Sequence, residues 1–467
     1  MRLAVIGGGL AGCEAAWQAA SLGMDVDLFE MRPRKRSPAH KTDSLAELVC
    51  SNSLRGAALE NAVGLLKEEL ARMGSLIVRA ARESAVPAGG ALAVDRERFA
   101  QRVESALGAH PRIRVLREEV TSIDLQRPTI VACGPLPSDA LSEAIDALVG
   151  QVVGSGGRPR LHYYDAASPI VAADSLDERK MYRKSRYDKG EGDDYLNIPL
   201  DRETYERFVH DLRTLPKHDP KDFECDAASG KIPYFEGCLP IEELASRGED
   251  ALRYGPMKPV GLRDPRTGRA PYAVVQLRKE NAQGTAYNLV GFQTRLTWPA
   301  QKEAFGRLPG LEEAEWLRLG VMHRNSFIDA PRLLEPDLRL RGAAQLWFAG
   351  QITGAEGYVE AAACGLIAAL SAARHALGLE MVPVPADTAL GAVVAHLQNT
   401  QTSDFQPANV TWAYVSPPPG PLVRDKRERR RLLAERALEK IEGWRDLVRA
   451  GVANPREPSE ELVHVIG

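Results

Sequence analysis

The first thirty residues constrain the fold most. A short apolar run, Leu3-Ala4-Val5-Ile6, enters Gly7-Gly8-Gly9-Leu10-Ala11-Gly12, an alanine-rich stretch runs from Gly12 to Leu22 before Gly23, and a second apolar run, Val26-Asp27-Leu28-Phe29, closes on Glu30. That order predicts strand, glycine turn, helix and strand, a βαβ unit shaped for a dinucleotide. Gly7 permits the tight turn, Gly9 lets a pyrophosphate approach the backbone, and Gly12 lets the helix pack closely on the strand. A carboxylate ending the second strand can bond ribose hydroxyls, so the candidate cofactor-binding set is Gly7, Gly8, Gly9, Leu10, Ala11, Gly12 and Glu30. Such turns serve NAD and FAD alike.

With 467 residues, 44% of them hydrophobic, the chain can bury a large core in two or three domains. Its net charge of -3 conceals local basic clusters, so the total neither shows nor excludes a polyanionic partner. The six cysteines include no CxxC pair, which argues against a disulfide scaffold and a structural zinc site and points to a reducing compartment. The chain starts directly on its first strand, leaving no room for a leader, and no apolar run approaches the roughly 18 residues of a membrane span. A soluble cytoplasmic protein with no metal and no membrane partner is the expectation. Oligomeric state is not readable.

Further along, Ser44-Leu45-Ala46-Glu47 has a capping-box pattern that predicts a short helix leading to Cys50. Helices are expected over Ala62 to Met73 and Asp95 to Leu107, and Thr129-Ile130-Val131 reads as a strand returning toward the nucleotide. After about Gly150 the chain turns aromatic and β-rich, as in Tyr272 to Leu277 and Tyr287 to Phe292. Then Gln345 to Gly350 predicts a strand, Gln351 to Gly357 a glycine-rich turn, and Tyr358 to Leu377 a long alanine-rich helix. This second strand-turn-helix crossover adds Gly350, Gln351 and Gly354 to the candidate cofactor set. The fold class is α/β: a Rossmann-like domain, of the kind that can serve as an FAD-binding domain, in 1–155 and 321–467, the latter with C-terminal helices, interrupted by an inserted α+β domain in 156–320.

The chain resembles the folate- and FAD-dependent tRNA (uracil-5-)-methyltransferases, which are related to glucose-inhibited division protein A. The resemblance rests on Glu30-Met31-Arg32-Pro33, Ala46 to Arg55, Val86 to Arg96, Ser185 to Gly190, Tyr234 to Pro240, Gly255 to Leu262 and Val321 to Asn325. It implies FAD as cofactor and 5,10-methylenetetrahydrofolate as carbon donor, its methylene passing to flavin N5. Reduced flavin would supply the hydride, and NADH or NADPH would reduce the flavin again. The implied acceptor is C5 of the T-loop uridine of tRNA at position 54, and folate and a nicotinamide nucleotide join tRNA as partners. Three rival readings stay open: a wobble-uridine enzyme of the division-protein type, a general FAD oxidoreductase, and an RNA-binding flavoprotein with a structural flavin.

Uracil C5 becomes nucleophilic once a thiolate adds to C6, and a second group must then remove the C5 proton. The family motifs mark Cys50 and Cys238 as the catalytic pair. Pro240 reads as the first residue of a helix that would favour a Cys238 thiolate, whereas Cys50 would end its short helix, with Arg55 as a compensating charge. Cys238 is therefore expected as the C6 nucleophile and Cys50 as the proton-abstracting or flavin-side partner. His323 is a candidate for stacking on the pterin. Basic clusters at Arg32 to Lys41, Lys180 to Lys189 and Arg424 to Arg431 are candidates for RNA phosphates, and the second, which includes Arg183, Arg186 and Tyr187, also offers a ring for a splayed base.

Overall fold

The computed structural model describes residues 2–153, 161–218, 234, 239–401, 405–416 and 423–452. Cys225 and Cys238 lie outside these described residues.

The opening segment forms the expected unit: strand Arg2–Ile6, helix Leu10–Ser21 and strand Asp25–Phe29, the two strands parallel with Ala4 opposite Asp27. They belong to a five-stranded parallel sheet ordered Leu346–Phe348, Thr129–Val131, Arg2–Ile6, Asp25–Phe29, Ile113–Leu116. Successive positions of the central strand are buried on both faces, and the strands read as near-continuous apolar runs: Leu3, Ala4, Val5 and Ile6 are all buried, as are Val26, Leu28 and Ile130. The carboxyl ends of the strands adjoin the glycine turn, where open α/β sheets place their ligands. The second crossover feeds helix Tyr358–Ala376 against the first helix, and its small residues permit close approach. A Cβ at Gly365 would lie 2.2 Å from the Ala11 carbonyl oxygen.

The middle of the chain builds a different layer. Six antiparallel strands run in the order Tyr182–Arg183, Tyr195–Leu200, Ala273–Lys279, Ala286–Leu289, Ile170–Ala172, Trp316–Arg318. Helices Arg202–Thr214 and Trp298–Gly306 close one face over an aromatic core, with the Phe208 and Phe292 rings 5.8 Å apart and those of Phe292 and Phe305 5.7 Å apart. One apolar core joins residues from the first 149 positions to residues after 326, and a second lies wholly between 171 and 311. The antiparallel ribbon of Leu161–Ala166 with Met322–Phe327 pairs the strand that leaves the first unit with the one that returns.

One expected element is absent. The Ser44 segment is not helical, because Glu47 does not reach back to Ser44: its carboxylate accepts from the Lys41 and Thr42 N–H groups at 2.8 and 3.1 Å and from Arg32 at 3.0 Å. Ala46 then adopts a left-handed φ of 50° and donates its N–H to the Gly8 carbonyl at 2.8 Å. An additional helix, Leu76–Glu83, follows Ser75, whose hydroxyl caps Val78 N–H at 3.2 Å.

Candidate functional site

The glycine turn forms the floor of an open cleft of about 1030 Å³, solvent at its mouth included. Each glycine has its own constraint. Gly7 sits at φ 109°, and a Cβ there would meet the Ala132 carbonyl oxygen at 2.4 Å; at Gly12 a Cβ would lie 1.8 Å from the Gly7 oxygen. At Gly9, by contrast, a Cβ would meet nothing within 4 Å, so the backbone there is open to a ligand. Gly9 is the N-cap of the first helix and Gly357 that of the long second-crossover helix, neither with a side-chain cap. Gly9, Leu10, Ala11, Gly357 and Tyr358 all line the cleft, so two helix starts present uncapped N–H groups to one space. Converging dipoles and backbone donors of this kind suit a diphosphate.

Gln351 lines the cleft beside them. Gly350 and Gly354 serve the turn itself: both have positive φ, and added Cβ atoms would lie 2.6 Å from Ala11 Cβ and 2.6 Å from the Phe405 ring, respectively. Cys133 and Gly134 form another part of the wall.

Glu30 is buried at the end of its strand, where its two oxygens accept from Gly8 N–H at 2.9 Å, Arg32 N–H at 3.0 Å, and Arg32 Nε and Nη2 at 2.8 and 3.1 Å. Burial pushes this carboxyl upward, but the Arg32 guanidinium and the two N–H donors outweigh it and hold the group below its ordinary value. Arg32, grouped by sequence with a surface basic cluster, is a core residue at 1% exposure, paired also with Glu47. Its place in the Glu30-Met31-Arg32-Pro33 motif was the available signal.

The Cys50 segment crosses the cleft wall through Val49 and is held by three separate elements. The Tyr358 hydroxyl accepts the N–H groups of Cys50 and Ser51 at 2.8 and 3.2 Å. Arg96, at the start of helix Arg96–Ala109, donates to the Leu48 and Cys50 carbonyls. Arg318, on the outermost strand of the antiparallel sheet, donates to the Val49 carbonyl at 2.8 Å, and its Nε is buried with no partner among the described residues. Although burial opposes the Arg96 charge, Glu280, Tyr358 and Cys50 favour it, Glu280 pairing with it at 2.6 Å. Burial pushes the Tyr358 phenol up, and the neighbouring Cys50 adds to that, so the phenol is neutral. Two guanidiniums and one phenol thus hold the backbone around Cys50. This replaces the expectation of an unfavourable helix end: there is no helix before Cys50, and Arg55 pairs with Glu360. Arg96, Arg318 and Tyr358 were not legible as partners of Cys50, since 46 to 308 residues separate the bonded pairs.

Other candidates fall out differently. The helix after Cys238 is Ile241–Ser246, six residues long, with Pro240 as its N-cap and Glu242 and Glu243 in its first turn. A helix this short and this acidic at its start is a weak source of thiolate stabilisation. Cys13 and Cys364 are buried packing residues, as expected; burial raises both thiols, that of Cys364 to about 11. His323 stands opposite Asp165 in the ribbon. Arg183 makes a two-pronged pair with Glu178, and Arg186 spends its guanidinium on the Val260 and Lys258 carbonyls and on Gln276. Arg186 is thus committed to protein carbonyls, the Arg183 pair is solvent-exposed, and Tyr187 is 58% exposed. In the other basic clusters, Lys35, Arg36, Arg427 and Arg431 are paired with carboxylates.

Residues 2–380 match the family model described as glucose inhibited division protein A. Curated relatives named methylenetetrahydrofolate–tRNA-(uracil-5-)-methyltransferase TrmFO include one from Pelobacter propionicus, 54% identical over 98% of this chain and 97% of the relative. Others come from Geobacter sulfurreducens, 55% identical over 94% and 98%, and Symbiobacterium thermophilum, 56% identical over 94% and 96%. The solved structure of Aquifex aeolicus GidA superposes with a TM-score of 0.70 at 16% identity, covering 99% of this chain and 75% of that one, a likeness of fold.

Proposed function

The chain belongs to the TrmFO family of methylenetetrahydrofolate–tRNA-(uracil-5-)-methyltransferases, and from that premise we propose how its geometry methylates a tRNA uridine at C5. One observation carries the reading: the Cys50 segment is tied to Tyr358, the first residue of a helix whose start lines the diphosphate cleft. The glycine turn, the two uncapped helix starts and the open space at Gly9 fit the diphosphate of FAD, and Gln351 stands where it can reach farther along the cofactor. Gly12, Gly350 and Gly354 shape these turns without lining the cleft. Glu30 holds the turn through Gly8 N–H, and a ribose hydroxyl would share a carboxylate oxygen with Arg32. Bound there, FAD supplies the redox chemistry that takes the one-carbon unit of 5,10-methylenetetrahydrofolate to the methyl level.

The protein's share is to activate uracil and move its protons. Cys238 is the proposed C6 nucleophile; its thiolate addition would place electron density on C5 for the new bond. Cys50, beside the cleft and flanked by Arg96 and Arg318, is the proposed base for the C5 proton or the flavin-side partner. His323 is the proposed contact for the pterin, the target the T-loop uridine, and the reductant NADH or NADPH. The proposed FAD domain spans 1–155 and 321–467, and 156–320 is the proposed folate and tRNA side. The proposed setting is the cytoplasm; no helix among the described residues is long and apolar enough to cross a membrane.

The test is product analysis: unmodified tRNA, methylenetetrahydrofolate and NADPH, digested after incubation. 5-Methyluridine in the T-loop is expected; modification at the wobble position, or flavin turnover without a modified nucleoside, overturns the reading. Trapping with 5-fluorouridine RNA assigns the cysteines, an adduct through Cys238 being expected and one through Cys50 reversing the roles.

A further inference from the structure

The Tyr187 turn has features that the cofactor cleft does not use. Tyr187 and Asp188 both adopt left-handed backbone, at φ 59° and 53°, a conformation costly for residues with side chains. The Tyr187 ring is 58% exposed and rests on the neighbouring loop. Gly261, itself at φ 81°, provides the seat: a Cβ there would lie 2.7 and 2.8 Å from two ring carbons, and Tyr187 N–H donates to the Gly261 carbonyl at 3.2 Å. The adjacent Arg186 locks the seat from below through the Val260 and Lys258 carbonyls and Gln276 Oε1. Val260, 53% exposed, extends the apolar surface, and Lys189 and Lys258 bring cations to the same two loops.

The platform connects to the cysteine site. Gln276 shares a sheet face with Arg278, two positions and roughly 6–7 Å along the same strand, and Arg278 Nε donates to Asn52 Oδ1 at 2.9 Å. Asn52 follows Cys50 by two residues. One strand therefore links the base of the Tyr187 seat to the Cys50 segment.

We propose that Tyr187, set on Gly261 and anchored by Arg186, is a stacking platform for an unpaired base of the tRNA beside the target uridine. A preset aromatic face with neighbouring cations is what single-stranded or splayed RNA binds, because every base offers a π-face and every linkage a phosphate. The proposal rests on the functional reading above. It places the stacking contact on the Tyr187 ring beside Arg186, whose guanidinium is spent on the Val260 and Lys258 carbonyls and on Gln276.

The full-length, flavin-loaded protein is assayed for tRNA affinity by filter binding and for KM toward tRNA and toward methylenetetrahydrofolate, with Tyr187→Ala, Tyr187→Leu and Tyr187→Phe. Leucine keeps the contact with Gly261 without the π-face; phenylalanine keeps both. Alanine and leucine are expected to weaken tRNA binding and raise its KM roughly 5- to 100-fold, with the folate KM and flavin content unchanged. Phenylalanine is expected within about twofold of the parent. Unchanged tRNA affinity in the leucine variant, phenylalanine as harmful as leucine, or a change in particle mass instead of tRNA affinity would overturn the proposal, the last by making this face a contact between copies. If the parent protein binds tRNA but forms no 5-methyluridine, the functional reading fails while the binding comparison still decides on the platform.

Discussion

The glycine turn and the Cys50 segment adjoin the same cleft but are built in opposite ways. The turn is made of backbone: six consecutive residues, three of them constrained by what a Cβ would strike or leave open, and two helix starts that supply N–H groups. The Cys50 segment has no regular structure, and long side chains from a helix, a β-strand and a second helix hold it by its carbonyls and N–H groups. A backbone-built site is encoded locally and tolerates almost no change in residue size. A side-chain-built site draws on distant positions and can fail one bond at a time without unfolding the protein.

The contrast breaks most sharply at two neighbouring glycines. Gly12→Ala puts a methyl 1.8 Å from the Gly7 oxygen and should abolish both flavin binding and much of the fold's stability, whereas Gly9→Ala meets no protein atom and should lower flavin affinity at nearly unchanged apo-protein Tm. Flavin absorbance and thermal melts on both variants check this; equal Tm losses would erase the distinction.

Arg32→Met comes next, because it leaves Glu30 buried and unpaired. A loss of about 3–5 kcal/mol is expected near pH 7 in chemical denaturation. The sign of its pH dependence follows from Glu30, whose folded-state carboxyl lies below its unfolded value near 4.3. The stabilisation is present above that pH and is lost as pH falls through the folded value. The stability difference between parent and Arg32→Met should therefore be largest near neutral pH and narrow as Glu30 is protonated in acid; a difference that widens as pH falls contradicts the assignment.

Tyr358→Phe tests the other construction. It removes the acceptor of the Cys50 and Ser51 N–H groups at a local cost of about 1–3 kcal/mol, so methylation kcat is expected to fall roughly tenfold with flavin content retained. Loss of flavin along with activity would mean that the phenol serves the cleft and not the cysteine segment.

The smallest effect concerns Lys67, whose Nζ donates to the Leu54 and Gly56 carbonyls just beyond Cys50 at 2.9 and 2.8 Å. Burial, then Arg55, lowers this amine to about 7. Its folded value is below the unfolded one, so its contribution is present at high pH and is lost as pH falls through about 7. The Tm of the parent minus that of Lys67→Met should grow by a few degrees from about pH 6 to 9. A shrinking difference reverses the sign.

The same contrast explains what the sequence disclosed. Gly7 to Gly12, Glu30 and the strand at Leu346–Phe348 were legible because hydrophobic period and glycine spacing express backbone constraints directly. The Ser44 pattern misled because Glu47 found nearer donors at Lys41 and Thr42, a competition between local hydrogen bonds that no capping rule resolves. Arg32 read as surface because composition counts charges without their partners, and Arg318 and Tyr358 went unseen because sheet order, not sequence distance, brings them to Cys50. Among the basic clusters, charge density alone did not show that the guanidiniums of Arg183 and Arg186 bond to protein groups while the neighbouring Tyr187 ring is exposed.

The most direct test of the account is the isotopic content of the product. The flavin-loaded protein is given unmodified tRNA, NADPH and 5,10-methylenetetrahydrofolate deuterated on its methylene, and the digested nucleosides are weighed by mass spectrometry. The account predicts 5-methyluridine from the T-loop carrying both deuteriums in its methyl group. An unlabelled methyl, or label in a wobble-position nucleoside instead, would contradict it.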